Sequence, residues 1–304
     1  MSFDASNISY YLIGETVEGV TPATGIAYKI AHIPGSGPTF EKTTVTSEAQ
    51  HVNRQSGGVR TTGGQGGGSF DFELKRAPTT DLLLSSALSG EWAGNVLKAG
   101  ATDKSFTILK STGEAGVTEY HAYTGFQASD VSFTANANEI VGVTTNLIGM
   151  NYIDPVEFEL PADITLVEDD GSFPLASTDI VASVALLPNI DVRTLTLTVS
   201  HDRQAKEALG PISTIGIGTS GVRTVTLDME FYREDFNPER VFINDAATSI
   251  TVQIGEGANG YTITMPACQA SWPEESVDGA SVTVSVTFTA KIHADGDIRI
   301  ARTA

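Results

Sequence analysis

The chain has 304 residues, of which 40% are hydrophobic and 18% are charged, the composition of a protein that folds around a core. Its charge is one-sided, with 37 acidic against 18 basic residues and a net charge of -19 at pH 7. Such a surface repels the phosphates of nucleic acid, which argues against a protein that holds DNA or RNA. The length allows two domains of ordinary size or one large β domain.

The cysteine count and the absence of targeting patterns indicate where the chain folds. A single cysteine, Cys268, excludes an intramolecular disulfide framework. Residues 1–6 show no basic region followed by an apolar run, and no apolar stretch of 18 residues occurs anywhere. We therefore expect no secretion signal, no transmembrane helix and folding in a cytoplasm.

The first part of the chain predicts short strands and a glycine-rich arm. Strands are expected at 8–13, 26–33 and 40–45, followed by a run at 55–68 that carries seven glycines. This run leads into a strand, and neither Gly-Lys-Ser/Thr nor a helix follows it. It therefore predicts a long hairpin arm and not a phosphate-binding loop.

An acidic strand follows the arm, and a second version of it occurs later in the chain. Asp71-Phe72-Glu73-Leu74 matches Asp228-Met229-Glu230-Phe231. Both stretches alternate acidic and apolar residues with a period of two. This alternation predicts strands with one buried face and one face in water.

The clearest predicted helix spans 80–88, with Thr80 or Asp81 as its N-cap and Gly90 as its stop signal. Its apolar residues recur on one face, and Trp92 is expected to seal that face onto a sheet. The residues expected to pack the helix are Leu84, Leu88 and Trp92. Further strands are predicted at 105–110, 120–126 and 131–148, so the chain is predicted to be mainly β.

Landmarks of the first half recur in the same order in the second half, which predicts an internal duplication. The boundary falls near Asp154-Pro155, giving one module at 1–155 with an N-terminal arm and a second at 156–304. Each module is expected to be a β-sandwich or barrel-forming unit with one short packing helix, the second at 237–242. The matched residues are Ile33-Pro34 with Leu187-Pro188, Val45 with Val199, Gln50 with Gln204, the glycines Gly57, Gly63 and Gly68 with Gly210, Gly216 and Gly221, the two acidic strands, and Gln127-Ala128-Ser129 with Gln269-Ala270-Ser271.

Patterns that carry chemistry are absent from the sequence. The five histidines show no metal-ligand spacing, and no nucleophile elbow lies between a strand and a helix. Asp71 with Glu73 could be spaced like a glycosidase pair, at roughly 6.5–7 Å along the strand. Two equivalent pairs on surface strands argue instead for a surface property. We therefore expect no enzyme activity, no catalytic residues, no cofactor and no metal.

Three stretches together resemble the major tail tube proteins of long-tailed bacteriophages, the siphophage-type tail tube family. The first is Glu15-Thr-Val-Glu-Gly-Val-Thr-Pro22, and the second is the strand-then-helix segment 68–92. The third is the pair of strands at 104–108 and 123–126. The resemblance spans about residues 8 to 150, and the second half matches mainly through the internal repeat.

This resemblance implies a structural virion protein that self-assembles into stacked rings, the hollow tail tube that conducts DNA during ejection. It implies assembly in the host cytoplasm, a tape-measure protein in the lumen, DNA that passes without specific binding, and no membrane. With two modules per chain, three chains would complete a pseudo-hexameric ring. Residues implied to line the lumen are Asp71, Glu73, Asp228 and Glu230, and those implied to lie in arms between rings are Gly57, Gly63, Gly68, Gly210, Gly216 and Gly221.

The resemblance also implies which face of the strand near 281–291 is core. Val282, Val284, Val286, Phe288, Ala290 and Ile292 are expected inside, and the intervening serine and threonines outside. The alternative function is an adhesin or receptor-binding surface protein made of tandem β-sandwiches. It predicts aromatic residues clustered on exposed loops, for which Tyr120, Tyr123 and Phe126 are candidates.

Overall fold

The computed structural model describes residues 7–49, 52, 57–112, 119–188, 190–279 and 281–303. Over these residues the protein is mainly β, as predicted, with two short α-helices. The helices are α1 (Pro78–Ala87) and α2 (Asn237–Ile243). The strands are β1 (Ser9–Gly14), β2 (Thr24–Ile30), β3 (Gly37–Thr46), β4 (Val59–Glu73), β5 (Trp92–Ala93), β6 (Val96–Lys98), β7 (Phe106–Ser111), β8 (Tyr120–Asn136), β9 (Gly142–Ile148), β10 (Asn151–Ile153), β11 (Asp163–Val167), β12 (Ile180–Val184), β13 (Val192–Ser200), β14 (Arg203–Lys206), β15 (Gly216–Thr219), β16 (Thr224–Tyr232), β17 (Thr248–Ile254), β18 (Tyr261–Ala270), β19 (Glu274–Asp278), β20 (Ser281–Ala290) and β21 (Arg299–Arg302).

Eight antiparallel strands form one continuous central sheet. Their order is β3, β4, β9, β8, β13, β16, β20 and β19. The junction in the middle pairs Asp130–Asn136 of β8 with Thr194–Ser200 of β13. A main-chain ladder therefore joins the two halves of the sequence.

Most of the remaining strands form a second layer over the central sheet, and β14 with β15 forms a separate two-stranded sheet. In the first half, β7 pairs with β1 and with the first part of β8, and β10 pairs with β8. In the second half, β17 pairs with β12 and β18, and β21 pairs with β18. One hydrophobic core between the layers runs through both halves. Its largest fully buried side chains include Phe70, Phe106, Phe126, Phe133, Phe231, Tyr261 and Phe288.

The pairing pattern of the first half recurs in the second, including its irregularities. The β7–β8 ladder shifts register between Phe106↔Phe126 and Ile108↔Tyr123. The β17–β18 ladder shifts between Thr248↔Cys268 and Ile250↔Met265, with every residue 142 positions further along (106 to 248, 126 to 268). A register shift is a local property of the pairing, so two shifts at the same offset indicate closely similar strand arrangements.

The central sheet shows the same correspondence. Ser132 pairs with Thr144 in β8–β9, and Glu274, which lies 142 positions after Ser132 (132 to 274), pairs with Ser285 in β19–β20. Thr144 also pairs with Asp71, and Ser285 also pairs with Glu230. The pairing counterpart of Asp71 is therefore Glu230, whereas the sequence match had aligned Asp71 with Asp228.

Helix α1 lies where it was predicted, but its N-terminus differs. It starts at Pro78, with Ala77 as N-cap and no side-chain cap, so the predicted cap at Thr80 or Asp81 is wrong. Proline in the first turn supplies the start because its missing N–H is not needed there. The Thr80 hydroxyl donates instead to the Lys75 carbonyl at 3.0 Å.

The three side chains expected to pack α1 occupy the core side of the helix or its end. Leu84 and Leu88 are buried, and Trp92 is half-buried. The Trp92 indole N–H donates to the Asp81 carbonyl at 3.0 Å, and the Arg302 guanidinium lies 3.9 Å from the centre of its ring. The first and second halves therefore meet at the first turn of this helix.

The first glycine-rich run forms one side of the predicted hairpin, in which β3 and β4 pair from Gly37↔Ser69 to Thr46↔Val59. Gly68 has φ +111, and a Cβ there would lie 2.3 Å from the Gly37 carbonyl oxygen, so this position requires glycine. The second run lies next to the hairpin β14–β15, and a parallel bridge joins Gly64 to Ser213. Gln50, His51 and Gln55 lie outside the described residues.

Strand β20 only partly follows the predicted alternation. Val284, Val286 and Phe288 are buried, as expected. Val282 and Ile292 are exposed and Thr283 is buried, so the expectation is wrong at both ends. Thr283 pairs with Tyr232 and Ser276 on the neighbouring strands, and Ile292 lies beyond the last residue of the strand.

Two carboxylates of the segment at 15–22 bind polar groups on separate strands, and Glu18 in this way joins the two halves. Glu15 Oε1 accepts hydrogen bonds from Thr107 Oγ1 at 2.7 Å and from the Gly125 N–H at 2.9 Å. Glu18 Oε1 accepts from Gln127 Nε2 at 2.8 Å and from the Ile217 N–H at 3.1 Å. This acidic motif has a structural role, since each carboxylate satisfies polar groups on separate strands.

A buried cluster of charged side chains joins the second half to the end of α1. Arg203 is buried and donates to the Ser86 carbonyl at 2.7 Å and to Ser89 Oγ at 3.1 Å. Arg223 forms a two-point ion pair with Asp297, at 2.7 and 3.0 Å. The two guanidinium groups have exchanged water for protein partners. Removal of one partner would leave a buried charge without compensation, so the contact between the second half and α1 depends on all of these residues.

His201 is buried beside this cluster, and its two ring nitrogens have no hydrogen-bond partner within the described part of the chain. The pKa of His201 is lowered to about 4, mainly by burial and secondly by the positive charges of Arg203 and Arg223. The carboxylates of Asp103 and Asp297 oppose the shift. The unfolded chain binds this proton near pH 6.5, whereas the folded chain binds it only near pH 4. Protonation therefore favours the unfolded chain.

We predict that His201 makes the protein less stable as the pH falls from about 6.5 towards about 4. At roughly 1.4 kcal/mol per pKa unit, the loss approaches about 3 kcal/mol. Urea unfolding of the native protein and of His201→Gln at pH 7.5 and pH 4.5 measures it, and the difference between the two proteins removes the contribution of the carboxylates. An identical loss of stability in both proteins would contradict the assignment.

Candidate functional site: the polar face of the central sheet

The two acidic strands have the predicted two-faced form. On β4, Phe70 and Phe72 are buried, while Asp71 is half-buried and Glu73 is exposed. On β16 the same alternation buries Leu227, Met229 and Phe231, and leaves Asp228 exposed and Glu230 half-buried. All four predicted acids thus lie on the face of the central sheet that points away from the core.

The structure places these acids in two separate groups on that face. Asp71 and Glu73 lie on β4, and Asp228 and Glu230 lie on β16, with β9, β8 and β13 between them. The four carboxylates therefore do not form a single cluster. They form two pairs at separate places on the sheet, one on β4 and one on β16.

Each group is held by a hydroxyl on the neighbouring strand. Thr144 Oγ1 donates to Asp71 Oδ1 at 2.7 Å, and the Thr287 hydroxyl donates to Asp228. Both contacts join directly paired residues of antiparallel strands. The hydrogen bonds fix the carboxylates at defined positions on the face and add side-chain cohesion to the ladder.

Between the two groups the face is made mostly of hydroxyl groups. The hydroxyls of Ser132 and Thr198 lie 3.3 Å apart across the central junction. The segments 69–73, 130–136, 142–148, 194–200, 224–232 and 281–290 contain no lysine or arginine. The hydroxyl-bearing residues that share this face include Ser132, Thr134, Thr144, Thr194, Thr196, Thr198, Thr226, Ser285, Thr287 and Thr289.

Two charged residues of this face were missed by the sequence analysis. Asp130 accepts a hydrogen bond from Asn146 Nδ2 at 2.8 Å, and Arg193 lies 3.6 Å from Glu230 Oε1. The alternation of Asp130 with Ser132 and Thr134 could have identified the first. No local pattern indicated the second, because Arg193 sits at a register shift in the β13–β16 ladder.

The polar face carries a shallow groove of about 460 Å³, lined by Asp228 and Glu230 among others. Trp272 also lines this groove and packs edge-to-face on Phe242, with ring centres 5.4 Å apart. Within the described ranges, no group of three or more His, Cys, Asp or Glu side chains could hold a metal ion. Burial raises the pKa of the Cys268 thiol to about 12, so this cysteine stays protonated.

The remaining predicted residues fall elsewhere. Gly63 and Gly68 lie within the β3–β4 hairpin, Gly57 precedes β4, and Gly210, Gly216 and Gly221 lie in or beside the β14–β15 hairpin. The aromatic residues considered for an adhesin surface are not on loops. Tyr120, Tyr123 and Phe126 belong to β8, and the last two are buried in the core.

The chain is a mainly β protein with one continuous polar sheet face. Residues 5–290 match the family model described as Phage tail tube protein, and the chain belongs to that family. No curated protein matches the chain. The protein is therefore a structural component of a bacteriophage tail. No helix within the described ranges is both long and apolar enough to span a membrane.

Proposed function

We propose that this protein self-assembles into rings that stack into the hollow tail tube, with the polar face of its central sheet lining the channel for DNA. The observation that supports this most directly is the composition of that face: fixed carboxylates, many hydroxyls and, on strands β8, β9, β13, β16 and β20, a single lysine or arginine, Arg193, which lies 3.6 Å from Glu230. The proposal includes assembly in the host cytoplasm, without a membrane.

The electrostatics of a DNA channel explain this composition. DNA carries one negative charge per ~1.7 Å of its axis, so a basic wall would hold it at many points at once. A wall of carboxylates and hydroxyls repels it weakly everywhere. Asp71, Glu73, Asp228 and Glu230 would then keep the genome, and before it the tape-measure protein, from adhering to the wall.

We also propose that the two halves, 1–155 and 156–304, are tandem copies of one tail tube module, and that three chains form a pseudo-hexameric ring. The recurrence of strand pairing and register shifts at an offset of 142 (106 to 248, 126 to 268) supports this arrangement. The single eight-stranded sheet supports it further, since each chain already contains two four-stranded units side by side.

The glycine-rich hairpins are proposed to contact the next ring. The distal part of β3–β4 is exposed from Glu41 to Thr46 and from Val59 to Thr62. The bridge between Gly64 and Ser213 brings the second glycine-rich segment beside it. Glycine loses more backbone entropy on ordering than other residues, so the glycine-rich part of the arm is costly to order, and contacts with the next ring would offset that cost.

We expect the purified protein, when concentrated, to form hollow tubes whose cross-section has threefold symmetry with six similar lobes. Cryo-electron microscopy of the assembled protein measures this. Separate small particles at all concentrations would contradict the proposed function. True sixfold symmetry would refute only the three-chain ring.

We expect Asp71→Lys, Glu73→Lys, Asp228→Lys and Glu230→Lys, combined, to slow genome ejection without preventing tube assembly. Each new cation adds phosphate contacts along the passing DNA, and the delay should shrink as salt increases. The matched control replaces the same residues by Asn or Gln and should eject faster than the lysine variant. Ejection at the native rate by tubes of the lysine variant would refute the lumen assignment.

We expect removal of residues 45–60, with an Asn-Gly turn joining the paired residues Thr44 and Thr61, to leave rings that do not stack. The cut removes the exposed end of the hairpin and keeps the register of the remaining ladder. The control removes only 48–57, between Ser47 and Gly58, which are joined by a hydrogen bond of 2.9 Å. Long tubes from the larger deletion would refute the role of the arm.

A further inference from the structure

Two strand edges of the central sheet have no partner strand within the described ranges. β3 pairs only with β4, and β19 pairs only with β20. Such edges present unpaired main-chain groups and are templates for pairing with another chain. Exposed Glu274 and Glu275 on β19 hinder unspecific pairing, so a partner must match this edge closely.

The interior of the same chain shows how these two edges can meet. β19 corresponds to the second part of β8, because Glu274 of β19 and Ser132 of β8 have corresponding pairing partners, Ser285 and Thr144. In the same way, β18 corresponds to the first part of β8. β3 corresponds to β13, since each pairs with an acidic strand, β4 or β16, on one side. In the middle of the sheet the counterparts of these edges, β8 and β13, are paired with each other.

Burial indicates that the β19 edge lacks a cover that its counterpart has. Val277 pairs with Val282, and these side chains are 76% and 39% exposed. Their counterparts at the central junction, Ala135 and Val141, are 4% and 0% exposed. In the first half, β13 pairs beside Ala135, and Leu175 accepts the hydrogen bond of the Val141 N–H. The two valines of the second half therefore present apolar surface where the first half is covered.

We propose that β19 of one copy pairs antiparallel with β3 of a second copy, in the register of the internal β8–β13 junction. The inference rests on the proposed ring assembly and specifies its seam. Thr198 pairs with Ser132 at the internal junction, and their counterparts are Thr39 and Glu274. The seam therefore places Thr39 of one copy opposite Glu274 of the next.

The register follows from pairs already described. Gly37 pairs with Ser69, and Thr196 pairs with Asp228. Asp71 and Glu230 are pairing counterparts. Ser69 lies two residues before Asp71, and Asp228 lies two residues before Glu230, so Ser69 and Asp228 are counterparts as well. Gly37 thus corresponds to Thr196, and Thr39 to Thr198. One chain then contains both an internal example of the seam and the two edges that form it.

The test uses variants with one added cysteine each, and the native Cys268 is buried, so a disulfide between added cysteines must join two chains. Thr39→Cys and Glu274→Cys proteins are mixed, assembled and oxidised, and reducible covalent dimers are measured on a gel. The matched control mixes Thr39→Cys with Ser276→Cys, which is displaced by two residues on the same edge. Directly opposite residues lie within disulfide reach, whereas diagonal ones lie ~7–8 Å apart, so we expect about tenfold less dimer from the control.

The double variant Ser132→Cys/Thr198→Cys calibrates oxidation, since these residues are paired within one chain and should lose both thiols. The buried native Cys268 stays in all variants. As a second readout, Val277→Asp should reduce assembly strongly, whereas Val277→Thr should not, because only the charge opposes burial at the seam.

The outcomes separate the seam from the proposed function. Dimers mainly from the Thr39 and Glu274 pair support the seam. Tubes that give dimers mainly from the displaced pair, or from neither pair, or that form normally with Val277→Asp, overturn the seam and leave the tube function intact. Failure of the unsubstituted protein to form rings or tubes overturns the proposed function and the seam together.

Discussion

The structure depends on the main-chain ladder between β8 and β13. Seven residue pairs, from Thr194↔Asn136 to Ser200↔Asp130, join the two halves without a register shift. This ladder makes one eight-stranded sheet out of two four-stranded units, and so gives the polar face its continuity. The Glu18 contacts to Gln127 and Ile217 and the buried Arg203 contacts to Ser86 and Ser89 reinforce the same junction from the other layer. A ladder alone would allow the halves to twist, and these side chains hold them in one orientation.

Much of the fold was predictable because β-strands reveal their buried face directly in the sequence. The alternation of Asp71 and Glu73 with Phe70 and Phe72 predicted the two faces of β4 correctly, and the same holds for β16. The position of α1 was predictable, although its predicted N-cap was wrong and Pro78 begins the helix. The end residues of β20 were not predictable, since burial there depends on neighbouring strands and not on the strand's own pattern.

The misalignment of Asp71 with Asp228 has a definite physical origin. A pattern of period two is unchanged by a shift of two residues, so side-chain alternation identifies the face but not the register. The pairing with Thr144 and Ser285 determines the register and aligns Asp71 with Glu230. The position of Arg193 next to Glu230 was hidden for a related reason, since it results from an irregularity in the ladder. Contacts made across strands are therefore what a single sequence reveals least.

The hydroxyl groups beside the carboxylates connect the cohesion of the sheet with its electrostatics. A wall made only of acidic residues would repel DNA strongly, but like charges at opposed positions on neighbouring strands destabilise a sheet. Pairing Asp71 with Thr144 and Asp228 with Thr287 gives each carboxylate a donor within the sheet and keeps acids apart. Because the hydroxyls are neutral, the face retains its negative sign. Its composition is thus a balance between a sheet that must hold together in every ring and a surface that must not hold the polyanion that we propose passes over it.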